Sequence, residues 1–166
     1  TTDDLVVGGE SGLVFDTTTV LAWGASPAET LAALTPRLGE PDEESTTPTC
    51  WGSQVGYTWY PDDTRLVWAV FLEGEWFQWG STDPRFAAAT VAVPGASMAW
   101  LEQREGTRFE MFTSEIGGGW YSTHYGGSVA FDQDTGDVAE VGGRWESDFF
   151  RLHTISDEDP ARWCGD

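Results

Sequence analysis

The chain has 166 residues, enough for one domain or two tightly packed halves, and 28 acidic residues stand against 8 basic ones, all arginine, for a formal net charge of -20. So negative a surface repels phosphate backbones and anionic lipid faces, which argues against nucleic-acid binding and membrane docking; it would attract a basic partner or divalent cations, the other reading being a surface that only keeps the chain soluble. No apolar run reaches the roughly 18 residues that a spanning helix needs.

The polar start Thr1-Thr2-Asp3-Asp4 is what a trimmed N-terminus would look like. Gly12 to Trp23, rich in Val, Thr and Phe, predicts a strand. A helix is then signalled by Ser26 as N-cap, Pro27 at the first helical position and Glu29 closing a capping box. Leu31, Leu34 and Leu38 give it an apolar face, Pro36 tightens its last turn and Gly39 stops it. Glu40 to Pro48, acidic and Thr-rich, reads as an exposed loop. A meander follows, with strands at Gln54–Tyr60, Arg65–Leu72 and Trp76–Trp79 joined by turns at Pro61–Thr64 and Glu73–Glu75.

The second half repeats this plan. Ser97 caps a short helix through Glu105, and strands are expected at Arg108–Phe112, Trp120–Tyr125, Ser128–Phe131, Val138–Val141 and Phe149–Ile155. Sliding the sequence by 71 residues aligns Gly24-Ala25-Ser26 with Gly95-Ala96-Ser97 and Asp63-Thr64 with Asp134-Thr135; 13 of 56 positions are identical over residues 20–75. The expectation is an α+β fold of two tandem units, residues 1–83 and 84–166, each a short helix packed on an antiparallel meander.

Cys50 and Cys164 have no metal-type spacing and read as one disulfide of an oxidising compartment, the other reading being two buried thiols. Closing so long a loop would stabilise the fold by about 4–5 kcal/mol in loop-closure terms.

The run Trp23-Gly24-Ala25-Ser26-Pro27, then Leu31, Leu34, Leu38-Gly39, Pro41-Asp42 and Cys50, with Gly95-Ala96-Ser97 opening the second half, resembles a pattern of actinobacterial secreted proteins and lipoproteins. The helix-then-meander plan is also similar to the β-lactamase inhibitor protein family, whose tandem repeats form a concave, aromatic-rich binding surface. The cysteine pattern here differs from that family and no inhibitory loop matches. The resemblance implies an exported or cell-surface protein, with or without a lipid anchor.

Catalytic signals are thin. There is no G-x-S-x-G elbow, and Gly9-Glu10-Ser11-Gly12 lacks the surroundings of a nucleophile loop. His124 and His153 form no metal motif, and Asp132, Asp134, Asp137 and Glu140 miss calcium-loop spacing because Gly136 takes the fifth position. No cofactor motif is present. Tryptophan is the better lead, with ten residues. Strand alternation puts Tyr57 and Trp59 on one face and Tyr60 on the other. Trp59, Trp76, Trp79 and Trp120 are the expected contact residues, chosen for their positions on sheet strands or beside the Gly117–Gly119 loop. The function expected is non-enzymatic protein binding through an aromatic sheet surface. The alternatives are a carbohydrate-binding module, a structural subunit of an envelope assembly, and a hydrolase with an unrecognised carboxylate pair.

Overall fold

The computed structural model describes residues 5–16, 18–49, 52–88, 92–105, 110–113, 119–122, 127–132 and 134–145. Among these residues, twelve strands and two helices follow in the order β1 (Val6–Gly9), β2 (Gly12–Phe15), β3 (Thr19–Ala22), α1 (Pro27–Leu38), β4 (Glu43–Thr49), β5 (Gly52–Asp62), β6 (Arg65–Leu72), β7 (Glu75–Ser81), β8 (Phe86–Ala88), α2 (Met98–Glu105), β9 (Glu110–Thr113), β10 (Gly119–Ser122), β11 (Gly127–Phe131) and β12 (Val138–Arg144).

The expected α+β class, two helix-on-meander units, is corrected by this arrangement. The described residues are mostly strand. Its backbone pairs into one eight-stranded sheet, ordered β4-β5-β6-β7-β12-β11-β10-β9, and one four-stranded sheet, ordered β3-β2-β1-β8. The two meanders fuse where β7 pairs antiparallel with β12, Gly80 opposite Gly142. The smaller sheet crosses the expected boundary after residue 83, because β8 pairs in parallel with β1, Val6 opposite Phe86. The predicted strand over residues 12–23 is a hairpin of β2 and β3 instead.

Helix α1 follows from its signals. The Ser26 hydroxyl accepts the Glu29 N–H, the Glu29 carboxylate accepts the Ser26 N–H, and Gly39 closes the C-terminus at φ 77° by donating to the Thr35 carbonyl. Ser97 starts α2 in the same way, its hydroxyl accepting the Trp100 N–H at 3.4 Å. Each helix is preceded by a Gly-Ala pair tied to the last strand of its meander. Gly24 donates to the Trp76 carbonyl and Trp76 donates to the Ala25 carbonyl; Gly95 donates to Val138 and Val138 donates to Ala96.

The 71-residue register therefore holds at the helix starts and slips in the strands. Trp76 lies four residues before Gly80, as Val138 lies four before Gly142, and that equivalence is an offset of 62. The matched Asp63-Thr64 and Asp134-Thr135 pairs sit in non-equivalent hairpins, β5–β6 and β11–β12.

One core fills the space between the sheets. Val6, Leu13, Phe15 and Leu21 of the small sheet, Leu34 of α1 and Leu101 of α2 pack with Trp59, Val67, Ala69, Phe71, Trp76, Trp79, Val129 and Val141 of the large one. Both helices and the small sheet thus cluster on the same face of the large sheet.

Candidate functional site: the face of the large sheet turned from the core

The opposite face is built by the alternation of β6. Val67, Ala69 and Phe71 are buried toward the core, while Leu66, Trp68 and Val70 are half-buried on the other side. Register carries that side across the sheet. One row runs Glu43, Thr58, Trp68, Gly80, Gly142; the next runs Ser45, Gly56, Val70, Gln78, Arg144. A β-bulge between Val70 and Phe71 on β6 leaves Phe77 as an extra residue on β7, so Phe77 and Gln78 both turn from the core. Phe77 then packs with Leu72, Val70 and Trp145 in a small second apolar cluster.

The Trp68 indole occupies the space a Cβ at Gly80 would need. This explains a buried glycine on the side turned from the core: Gly80 has no side chain, and the neighbouring indole covers it.

At the β4 side, the Tyr60 hydroxyl donates to Glu43 at 2.9 Å and the Tyr60 N–H donates to Asp42 at 2.7 Å. The bond to Glu43 raises the Tyr60 pKa, with smaller contributions from burial and from the charges of Glu43 and Asp42. Tyr57, on the core side, is also raised, by burial first and by the Glu44 charge second. Tyr60 is 47% exposed.

The predicted contact residues fall elsewhere. Trp59 and Trp76 are 0% exposed and Trp79 is 2% exposed, so all three are core and correct the expectation that they form a surface. Trp59 donates its indole N–H to the Gly39 carbonyl and Trp76 donates to Gln78. Trp76 also stacks on Trp23 at 4.2 Å, and the Trp79 ring fills the space above Gly8. The reason is the small sheet, which covers this face and consumes the aromatics. Trp120 lies in β10 opposite Phe112 and Ala130; its side chain lies outside the described residues, as do Cys50, Cys164, His124, His153 and Phe149–Ile155.

Sequence reasoning missed Trp68 and Trp100. The alternation of β6 carried the signal for Trp68, placing it opposite Val67 and Ala69. Trp100, 47% exposed on α2 beneath the Arg104 guanidinium at 5.3 Å, had no comparable signal.

Away from this face, Asp83 is buried and bonded by Arg85, Nη2 to Oδ2 at 2.8 Å, and Arg85 reaches back to the Arg37 carbonyl at the end of α1. Burial alone would push the Asp83 pKa up; the side-chain and backbone bonds from Arg85 outweigh it and hold the carboxyl below its ordinary value. This is a structural clasp. Among the described residues, no group of three or more His, Cys, Asp or Glu converges as a metal site.

No family model matches the chain, and no curated protein matches it. Solved structures do. A cysteine-rich secretory protein from Staphylococcus aureus subsp. aureus Mu50 superposes with TM-score 0.50 at 13% identity, covering 83% of this chain and 49% of that one. An extracellular protein containing a SCP domain from Bacillus anthracis str. Ames superposes with TM-score 0.50 at 10% identity, covering 85% of this chain and 52% of that one. At such identities the likeness is one of fold, and this chain spans about half the length of each neighbour. No helix among the described residues is long and apolar enough to cross a membrane.

Proposed function

We propose that this chain is an exported, non-catalytic protein-binding module whose contact surface is the face of the eight-stranded sheet turned from the core. The observation that carries this reading is the row Glu43–Thr58–Trp68–Gly80–Gly142, a partly exposed indole laid over Gly80 with Tyr60 and carboxylates at its end. A half-buried tryptophan beside a polar rim is the composition of an interface anchor, since it adds large contact area at small rotamer cost. The extracellular character of the two structural neighbours and the resemblance to secreted proteins support export.

A glycan platform would need a line of exposed indoles. Trp68 and Trp100 instead lie on separate elements, so protein binding is favoured.

The test is capture from the producing organism's envelope fraction on the immobilised chain, with crosslinking and mass spectrometry, comparing wild type with Trp68→Ala. The expected result is a specific protein lost with Trp68→Ala and kept with Val20→Ala, a substitution at an exposed residue of β3. Equal capture by Trp68→Ala would overturn the reading. Capture of glycan alone would move it to the carbohydrate-binding class.

A further inference from the structure

Strand β4 lacks the usual reason for being a strand. Its side chains from Glu43 to Pro48 are all exposed, on both faces of the sheet, and among the described residues it pairs only with β5. A strand is ordinarily stabilised by packing at least one face. Here the seven-residue ladder to β5 and the bonds from Tyr60 to Asp42 and Glu43 hold the strand, and within β5 only Trp59 is fully buried. Strand β4 thus lies beyond the core, and among the described residues nothing pairs with its outer row of donors and acceptors.

The charge around that edge has one sign. Glu40, Asp42, Glu43, Glu44, Asp62 and Asp63 are all exposed, and residues 38–64 contain no Lys, Arg or His. A second copy of this chain, with its net charge of -20, is electrostatically disfavoured there. Neighbouring residues on a strand point to opposite faces, so Glu43 looks onto the face turned from the core beside Tyr60, and Glu44 lies opposite Tyr57 on the other.

We infer that β4 accepts an extended segment of a basic protein partner as a ninth strand, with two adjacent Lys or Arg residues meeting Glu43 and Glu44, one on each face. The rest of that segment, opposite Ser45–Thr49, is uncharged and β-forming. Backbone pairing supplies the docking and the carboxylates supply partner choice. This inference rests on the protein-binding reading above and deepens it by naming the chemistry of the partner.

The probes are two synthetic heptapeptides, Lys-Arg followed by alternating Thr and Val, and the same sequence reversed, covering the two strand directions. Binding is followed by amide shifts of the labelled full chain. One peptide is expected to bind saturably, to shift amides of residues 43–49 and to weaken as salt rises. Glu43→Gln/Glu44→Gln keeps an acceptor for Tyr60 and is expected to weaken binding about tenfold. Methylating alternate backbone nitrogens of the peptide, which keeps its charges but removes ladder donors, is expected to abolish it. Equal binding by the methylated peptide, equal binding by the Gln variant, or shifts confined to other strands would each overturn the inference. If the natural partner is lost with Trp68→Ala but retained by Glu43→Gln/Glu44→Gln, the β4 inference fails and the protein-binding reading stands.

Discussion

Trp68 lies across Gly80, its register partner on the next strand, and the indole fills the volume a methyl group at position 80 would occupy. Gly80 faces Gly142 in turn, so the joint between the two meanders is a glycine pair, with the tryptophan over Gly80. Gly80→Ala must push the indole outward. It is expected to destabilise the protein by about 1–3 kcal/mol and to red-shift tryptophan emission. Trp68→Ala should relieve most of that cost, so a double-mutant cycle in urea will show coupling between the two positions.

The buried and half-buried tryptophans separate by stability. Trp59→Ala removes a fully buried ring and its bond to Gly39, for about 3–5 kcal/mol. Trp68→Ala is expected to cost less, about 1–2 kcal/mol, because the ring is only partly buried. Urea midpoints of the two variants check this; equal losses would contradict the assignment of faces.

The two helix caps differ in strength. Ser26 makes both bonds of a capping box, whereas Ser97 accepts only the longer bond from Trp100, and no acidic residue stands in the first turn of α2. Ser26→Ala should cost about 1 kcal/mol and Ser97→Ala roughly half of that in thermal unfolding.

The Asp83–Arg85 clasp gives a pH dependence of definite sign. The Asp83 carboxyl is held below its ordinary pKa by Arg85, so its contribution is present above the unfolded-state value of about 3.9 and is lost as pH falls through the folded value. Arg85→Ala leaves a buried carboxylate with weakened support. It is expected to cost about 2 kcal/mol at neutral pH, discounted for the partly exposed guanidinium, and to lose less than wild type on acidification. Denaturant unfolding at neutral and acid pH measures both slopes.

Cys50 and Cys164 are expected to be bonded. Intact mass after alkylation without reductant should show no added label, and two labelled thiols would remove one support for export.

Helix α1 was legible to the residue, because capping chemistry is local: Ser26, Pro27, Glu29 and Gly39 each act within one turn. Strands β5 to β7 were legible from alternation and turn residues. Strand β4 was read as a loop because an exposed strand of Glu, Ser and Thr carries no hydrophobic period. The small sheet was missed because β1 and β8 are short and pair across most of the first half of the chain. That omission misplaced the tryptophans: alternation set Tyr57 and Trp59 on one face and Tyr60 on the other, but only the covering sheet decides which face is core. The repeat was legible where hydrogen bonds are local, at Gly24-Ala25-Ser26 and Gly95-Ala96-Ser97, and drifted where hairpin lengths differ.

The parallel β1–β8 pair also orders events in time. Val6 and Phe86 are partners eighty positions apart, and parallel pairing of distant segments is slow to close. During synthesis the β1–β3 ribbon emerges first, with Leu13, Phe15 and Leu21 waiting for the layer that will bury them. Folding of the small sheet is therefore gated by arrival of residues 86–88, and until then the nascent chain presents an unclosed apolar ribbon of the kind that chaperones hold.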